Sequence, residues 1–213
     1  MALADRAPPP LNPRSGFAPR RVGILGGSFN PAHEGHRQIS LAALGRLGLD
    51  EVWWLVSPQN PLKPVAGMAP IDRRLADARA VARHPLIRVT DIETRLGTRY
   101  TADTLVKLVR AFPRTRFVWL MGADNLTQIA RWERWTQIFH AVAIAVFNRP
   151  TYCFRALSGM AARRFARRRL AAAAAGSLAR KTPPAWVFLF TRLNPISATA
   201  IRARRSGRRQ GRT

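Results

Sequence analysis

A strand that runs through two adjacent glycines towards a helix is the feature that most constrains this chain. An apolar run at 22–25 is followed by Gly26 and Gly27, and a short loop then leads to two histidines three residues apart. Glycine lets the backbone approach a ligand closely because it has no Cβ. The helix predicted over 34–47 presents its free N–H groups, which carry partial positive charge, at the same place. This arrangement favours the binding of a phosphate group.

The two histidines, His33 and His36, lie at the predicted start of that helix. An imidazole N–H there can donate a hydrogen bond to a phosphate oxygen, although the pair could instead be only a helix cap and a solvated side chain. The dinucleotide fingerprint G-x-G-x-x-G does not fit, because the glycines are adjacent and no third one follows at the required offset. A P-loop does not fit either, since the segment lacks Gly-Lys-Ser/Thr.

Apolar runs alternate with helical patterns along the chain. The predicted strands are Val22–Leu25, Val52–Val56, Ile87–Asp91, Phe117–Leu120, Val142–Phe147 and Trp186–Phe190. The predicted helices are 34–47, about 71–83, 101–111, 132–140 and a long basic one around 155–175. Strands that alternate with helices favour a parallel sheet covered on both faces. We therefore predict an α/β fold with a doubly wound parallel sheet of five or six strands in the order 3-2-1-4-5-6. The strand at 22–25 should be central, because the Gly-Gly loop follows it.

The formal net charge of +25 is unevenly distributed, since all eleven acidic residues lie at or before Glu133. Arginines crowd two later segments: Arg163, Arg164, Arg167, Arg168 and Arg169, then Arg202, Arg204, Arg205, Arg208, Arg209 and Arg212. Such clusters are typical of nucleic-acid binders, but no nucleic-acid-binding motif accompanies them. Only three of the 36 basic residues are lysine, which indicates a genome-wide coding bias. We do not expect specific nucleic-acid binding; a positive field near the site can steer anionic nucleotides.

The length of 213 residues fits one domain. The single cysteine, Cys153, excludes an internal disulfide and a cysteine-based zinc cluster, which fits a reducing, cytoplasmic setting. No apolar run is long enough to cross a bilayer. We interpret residues 1–20, which contain five prolines, as a disordered lead, 21–205 as the folded domain and 206–213 as a basic tail.

Polar residues follow several predicted strands, at the edge where open α/β sheets bind ligands. These segments are 57–64, 100–105, 122–126 with 132–135, and 196–202. Each has a simpler explanation of its own: for example, Trp132 and Trp135 could pack in the core. Their shared position at one sheet edge indicates a common site instead.

The segment from Gly26 to His36 reads Gly-Gly-Ser-Phe-Asn-Pro-x-His-x-Gly-His and resembles the signature of the HxGH nucleotidyltransferases. Those enzymes transfer a nucleoside monophosphate from a triphosphate. The segments at 100–105 and 196–202 make the chain, over about residues 21–205, similar to one branch of that group, the bacterial nicotinate-nucleotide adenylyltransferases. That family couples nicotinate mononucleotide to the adenylyl group of ATP, which yields nicotinate adenine dinucleotide and pyrophosphate in NAD biosynthesis.

The resemblance implies a Rossmann-like nucleotidyltransferase fold and a set of site residues. Those implied for ATP are Gly26, Gly27, Ser28, Phe29, His33, His36, Gly122, Asp124, Ile196, Ser197, Thr199 and Arg202. Those implied for the mononucleotide are Asn60, Lys63, Thr101, Trp132 and Arg149, with Trp132 stacking on the pyridine ring. The implied catalytic residues are His33, His36 and Arg202. Mg²⁺ would be held mostly by the phosphates, with no protein metal ligands.

Two departures from the family pattern are present. Leu62 stands where many members carry a histidine, and the chain ends soon after Arg205, where many relatives continue. An adenylyltransferase acting on nicotinamide mononucleotide or phosphopantetheine stays open as an alternative, as does a basic nucleic-acid-associated protein built on an inactive core. The second alternative is disfavoured because no histidine or arginine of the site is lost. The preference for acid over amide and the oligomeric state stay open.

Overall fold

Seven parallel strands form one sheet in the computed structural model, which describes residues 20–58, 67–149 and 152–191. The strands are β1 (Arg20–Gly27), β2 (Glu51–Val56), β3 (Ile87–Thr90), β4 (Thr115–Gly122), β5 (Ala143–Phe147), β6 (Arg169–Leu170) and β7 (Trp186–Leu189). Their order is β3-β2-β1-β4-β5-β7-β6, and each neighbouring pair is parallel. The chain order reverses beside β1, between β2 and β4, and this is the point where such sheets bind ligands.

Helices cover both faces of the sheet. They are α1 (Glu34–Leu47), α2 (Ile71–Ala82), α3 (Ile92–Leu96), α4 (Thr101–Ala111), α5 (Ala123–Gln128), α6 (Trp135–Ala141), α7 (Cys153–Ser158) and α8 (Met160–Arg164). Three 3₁₀ helices span Ile129–Arg131, Ala166–Arg168 and Ala172–Arg180. Among the residues described, no helix combines the length and the hydropathy needed to cross a membrane.

The sheet separates two apolar clusters because successive strand side chains point to opposite faces. On β1, Ile24 packs with α4 and α6, whereas Leu25 packs with α1 and α2. The middle strands are buried on both faces, which explains why β2 and β5 are buried along their whole length. Near-continuous apolar runs in the sequence therefore predicted these strands correctly.

All six predicted strands are present, and among themselves they keep the predicted order. The seventh strand, the two-residue β6, lies at the sheet edge beyond β7. β1, which was predicted to be central, is third of the seven strands, and its neighbour β4 occupies the middle. The helices at 34–47 and 101–111 have the predicted bounds, whereas α6 begins at Trp135 rather than at 132.

The prediction of one long helix around 155–175 is wrong. Gly159 adopts an extended backbone and ends α7, so the segment divides into two short helices, a 3₁₀ turn, β6 and the start of a second 3₁₀ helix. The ring of Phe165 stacks on Phe139 at a centroid distance of 4.1 Å, and its carbonyl accepts the Trp186 indole N–H at 2.8 Å. These tertiary contacts outweigh the helix propensity of an arginine- and alanine-rich segment.

Candidate active site

A cavity of about 370 Å³ opens at the carboxyl ends of β1 and β2. Its walls come from the Gly-Gly turn, the end of β2, α3, the start of α4, β4 and the segment after α5. The lining residues are Gly26, Gly27, Ser28, Ser57, Glu93, Arg99, Tyr100, Thr101, Trp119, Arg131, Trp132 and Glu133. Five of them belong to the residues predicted from the sequence: Gly26, Gly27, Ser28, Thr101 and Trp132. Sequence segments far apart therefore meet at one cavity.

Gly26 is needed for a packing reason as well as for ligand approach. A Cβ at this position would overlap the Cη2 atom of Trp119, whose indole lies directly against the turn. A Cβ at Gly27 would only come within 3.6 Å of the Phe29 ring, which is ordinary contact. The first glycine thus makes room for a tryptophan that the sequence interpretation did not include.

His33 and His36 meet at the N-terminus of α1, with ring centroids 3.9 Å apart. The backbone N–H of His33, the N-cap residue, donates to His36 Nδ1 at 3.2 Å. Because an accepting Nδ1 carries no proton, neutral His36 holds its proton on Nε2, where it can donate to a ligand. The two imidazoles therefore combine a helix-capping contact with the position predicted for phosphate binding.

His33 is the more buried of the two, and its Nδ1 has no hydrogen-bond partner in the described part of the chain. Burial, reinforced by the positive charge of Arg149, lowers the pKa of His33 from 6.5 to about 4. Both effects disfavour the imidazolium form. His33 is therefore neutral near pH 7 in the ligand-free protein.

Asp124 and Arg149 form an ion pair, with 3.7 Å between Asp124 Oδ1 and Arg149 Nε, and Arg149 acts electrostatically on His33. A Cβ at Gly122 would collide with the Asp124 carboxylate, which explains the glycine at the end of β4. Arg149 was predicted on the mononucleotide side, yet it pairs with a residue predicted for ATP and acts electrostatically on His33. It is therefore placed where the two predicted subsites meet.

Arg74 is an architectural residue of the site that the sequence interpretation missed. This buried side chain on α2 donates hydrogen bonds to the backbone carbonyls of Ser28, Ser57, Pro58 and Ala69, at 2.7–3.0 Å. Burial lowers the pKa of the guanidinium below its ordinary value. One arginine among so many carries no sequence signal, and only the fold reveals that it ties the Gly-Gly turn to the loop after β2.

Glu93, on α3, is a buried carboxyl in the cavity wall that was also missed. Burial raises its pKa above the ordinary value of 4.5, although hydrogen bonds from Ser57 and Thr104 oppose the shift. The Thr104 hydroxyl lies 3.3 Å from Glu93 Oε1 and 2.8 Å from the Thr98 hydroxyl. Nothing in the local sequence distinguishes Glu93 from the other acidic residues, so its burial could not be predicted.

Phe29 and Trp132 both have a packing role. The Phe29 backbone is in the left-handed region with φ of 45°, and its ring stacks on Trp54 at 5.1 Å beneath His36. Trp132 is half-buried: it contacts the core and also lines the cavity. The packing interpretation of Trp132 and its interpretation as a cavity residue are therefore compatible.

Six predicted residues lie outside the described ranges: Asn60, Lys63, Ile196, Ser197, Thr199 and Arg202. In the described part of the chain, no group of three or more His, Cys, Asp or Glu side chains is arranged to hold a metal ion. The acidic side chain at the carboxyl end of β4, Asp124, is already paired with Arg149.

The fold and this site define a nucleotidyltransferase of the α/β type. A model of the cytidylyltransferase-like family matches residues 24–204, which is most of the chain. The solved structure of Plasmodium falciparum nicotinic acid mononucleotide adenylyltransferase complexed with NaAD is similar, with a TM-score of 0.64. The likeness covers 86% of this chain and 83% of that chain at 16% sequence identity, so it supports the fold alone.

Sequence relatives narrow the family further. The chain is 56% identical, over 85% of its length and 96% of the relative, to a probable nicotinate-nucleotide adenylyltransferase from Cereibacter sphaeroides. A relative of the same name from Parvibaculum lavamentivorans is 55% identical over 86% of this chain and 92% of the relative. One from Methylorubrum extorquens is 50% identical over 86% of this chain and 100% of the relative. The chain belongs to the nicotinate-nucleotide adenylyltransferase family.

Proposed function

We propose that the protein transfers the adenylyl group of ATP to nicotinate mononucleotide, as an enzyme of NAD biosynthesis. The products are nicotinate adenine dinucleotide and pyrophosphate. The observation that carries this proposal is the cavity that joins the Gly-Gly turn to Thr101 and Trp132, beside a helix N-terminus with two histidines. Relatives that are 50–56% identical and carry the adenylyltransferase name support it.

The reaction joins two phosphate groups by in-line displacement. An oxygen of the mononucleotide 5′-phosphate attacks the α-phosphorus of ATP, the bond from that phosphorus to the bridging oxygen breaks, and pyrophosphate leaves. A phosphate dianion is already a nucleophile, so the protein has to position both phosphates and neutralise developing charge. His36 Nε2 and the N–H groups at the start of α1 suit the phosphates of ATP.

The neutral state of His33 fits this role. An uncharged imidazole at pH 7 can donate one hydrogen bond to a phosphate oxygen without repelling the neighbouring Arg149. The negative charge of a bound phosphate would raise the pKa of His33, so the imidazolium form becomes accessible as charge develops on the leaving pyrophosphate. Arg202 is proposed to act on the same phosphates, and with Ile196, Ser197 and Thr199 to close over adenine.

The mononucleotide side is proposed to be the part of the cavity lined by Thr101 and Trp132, and the Gly-Gly turn borders the ATP side. Thr101, at the start of α4, suits the 5′-phosphate, and the half-buried ring of Trp132 offers a stacking surface for the pyridine ring. Asn60, Lys63 and Arg149 are proposed to complete this side. Gly26 to Phe29, Gly122 and Asp124 are proposed for the ATP side.

Mg²⁺ is proposed to enter with ATP, held by the phosphates. The residues fit an ion bound in this way, because the described side chains form no cluster of carboxylates that could hold it, while the phosphates supply the hard oxygen ligands that Mg²⁺ prefers. When bound, the ion neutralises charge on the leaving pyrophosphate. A cytoplasmic location and the absence of a specific nucleic-acid partner stay predictions, and the oligomeric state is open.

Trp132→Ala, measured with both substrates, tests the proposal. Wild-type protein with ATP and Mg²⁺ should release pyrophosphate with nicotinate mononucleotide, and more slowly with nicotinamide mononucleotide or phosphopantetheine. Loss of a stacking contact should weaken mononucleotide use about 5- to 150-fold while the KM for ATP barely changes. Trp135→Ala is the matched control, since that half-buried ring packs edge-on against Phe139 and does not line the cavity. An equal rise in KM for both substrates, together with a lower melting temperature, would show that Trp132 has only a packing role.

A further inference from the structure

The indole N–H groups of the four fully buried tryptophans are not equally satisfied. Three of them donate to acceptors in the protein: Trp53 to Glu51 Oε2 at 3.0 Å, Trp54 to Ser40 Oγ at 2.8 Å and Trp186 to Phe165 O at 2.8 Å. The fourth, Trp119, is 3% exposed, and its Nε1 has no acceptor among the described residues. Buried donors are nearly always paired, so this exception calls for an explanation.

The exception coincides with the cavity. Trp119 lines it together with Thr101 and Trp132, whereas Trp53, Trp54 and Trp186 do not line it. The indole is also fixed in place, because its Cη2 atom fills the space that a Cβ of Gly26 would need. The Nε1 atom itself has almost no accessible surface, so an acceptor reaches it only if ligand binding displaces neighbouring atoms of the cavity wall. The fixed indole would then lose little side-chain entropy on binding.

We propose that the Trp119 indole N–H donates a hydrogen bond to an oxygen acceptor of the pyridine mononucleotide. This inference rests on the proposed function, and it adds a binding residue that the sequence interpretation did not contain. The acceptor is assigned to the mononucleotide because Trp119 lines the cavity with Thr101 and Trp132, the residues proposed for that substrate. The Gly-Gly turn proposed for ATP lines the same cavity, so the comparison of the two dissociation constants decides between the substrates. The phosphate-binding histidines at the start of α1 are not part of the cavity lining.

Trp119→Phe removes the N–H donor and keeps an aromatic ring against Gly26. The dissociation constant of nicotinate mononucleotide should rise about tenfold, the size expected for one hydrogen bond. The dissociation constant of ATP should stay within about twofold of wild type. The melting temperature of the ligand-free protein should fall because part of a buried ring is lost, but by less than in a variant that also loses a paired N–H, since the Trp119 N–H has no acceptor in the described structure.

Trp53→Phe is the matched control. Trp53 is also 3% exposed and belongs to the same apolar cluster, but its N–H has Glu51 as an acceptor. This variant should lower the melting temperature and leave both dissociation constants unchanged. A Trp119→Phe protein that binds nicotinate mononucleotide as tightly as wild type, or that loses ATP equally, would overturn the inference.

Wild-type protein labelled with ¹⁵N provides a second readout that needs no folding of a variant. The Trp119 indole ¹H–¹⁵N signal, assigned in the wild-type spectrum from the close contact of its ring with Gly26, should move downfield when nicotinate mononucleotide is added. ATP alone should leave it in place. An unmoved signal in a protein that binds and uses the mononucleotide overturns only this inference. A wild-type protein that does not bind the mononucleotide would overturn the proposed function as well.

Discussion

Two buried titratable side chains at the site respond to pH in opposite directions. His33 and Glu93 both lie where burial disfavours the charged form, which lowers the pKa of the histidine and raises that of the glutamate. Neither has a salt bridge to a partner of opposite charge among the described residues. Each group therefore lowers the free energy of unfolding of the ligand-free protein over one pH range. In that range the group is charged in the unfolded chain but neutral in the folded protein.

For His33, stability should fall as the pH is lowered from 6.5 to about 4. In this window the unfolded chain binds a proton at His33 and the folded protein does not, so protons favour unfolding. His33→Asn, which keeps a favourable N-cap residue, should lack this part of the pH dependence. Thermal unfolding of both proteins across pH 4–7 measures it. Parallel melting curves for the two proteins would mean that His33 titrates normally in the fold.

For Glu93, the expected change of stability with pH is opposite to that for His33. The folded protein holds a proton on this carboxyl at a pH where the unfolded chain has released it, so stability should fall as the pH rises above about 4.5. Glu93→Gln should thus gain melting temperature relative to wild type with rising pH, and the gain should level off above the folded-state pKa. Glu133→Gln, on a half-exposed residue of the same cavity, controls for the charge change. A gain that is constant over the whole pH range would contradict the burial argument.

At the scale of elements, the sequence predicts what depends on local pattern and misses what depends on distant contacts. The six buried strands and the helices at 34–47 and 101–111 follow from apolar runs and helical spacing. The segment 155–175 fails because its path depends on Phe165 packing against Phe139, which no local pattern encodes. The same holds for Trp119 and Gly26, which meet across neighbouring strands.

The hydrogen bonds of Arg74, on α2, connect the Gly-Gly turn to the loop after β2. Arg74→Ala should make both segments less ordered. Loss of charge-assisted hydrogen bonds to four carbonyls should lower stability by about 3 kcal/mol and reduce kcat/KM for both substrates together. Arg73→Ala, one residue earlier, removes an exposed pair with Asp77 and should change stability by less than about 0.5 kcal/mol. Urea unfolding of both variants tests this difference. Equal effects of the two substitutions would show that Arg74 does not brace the site.

At the scale of the whole molecule, the sheet gathers segments that the sequence could only place at a common edge. The Gly-Gly turn, Thr101 and Trp132 were predicted to meet and do line one cavity. The sequence could not predict that Arg149 approaches His33, because that proximity depends on how β4 and β5 end side by side. The formal net charge of +25 should speed the approach of anionic nucleotides wherever the resulting field near the site is positive.

Adenylyl transfer is proposed to take place at the N-terminus of α1, where His33 and His36 lie, and ³¹P NMR of one reaction mixture follows it. With ATP, Mg²⁺ and nicotinate mononucleotide, wild-type protein should convert the ATP signals into equal amounts of pyrophosphate and a dinucleotide diphosphate. His36→Ala should form the same products about 10²- to 10³-fold more slowly, the cost of one preorganised donor. ADP with orthophosphate, ATP consumed without dinucleotide, or a His36→Ala rate near that of wild type would contradict the account.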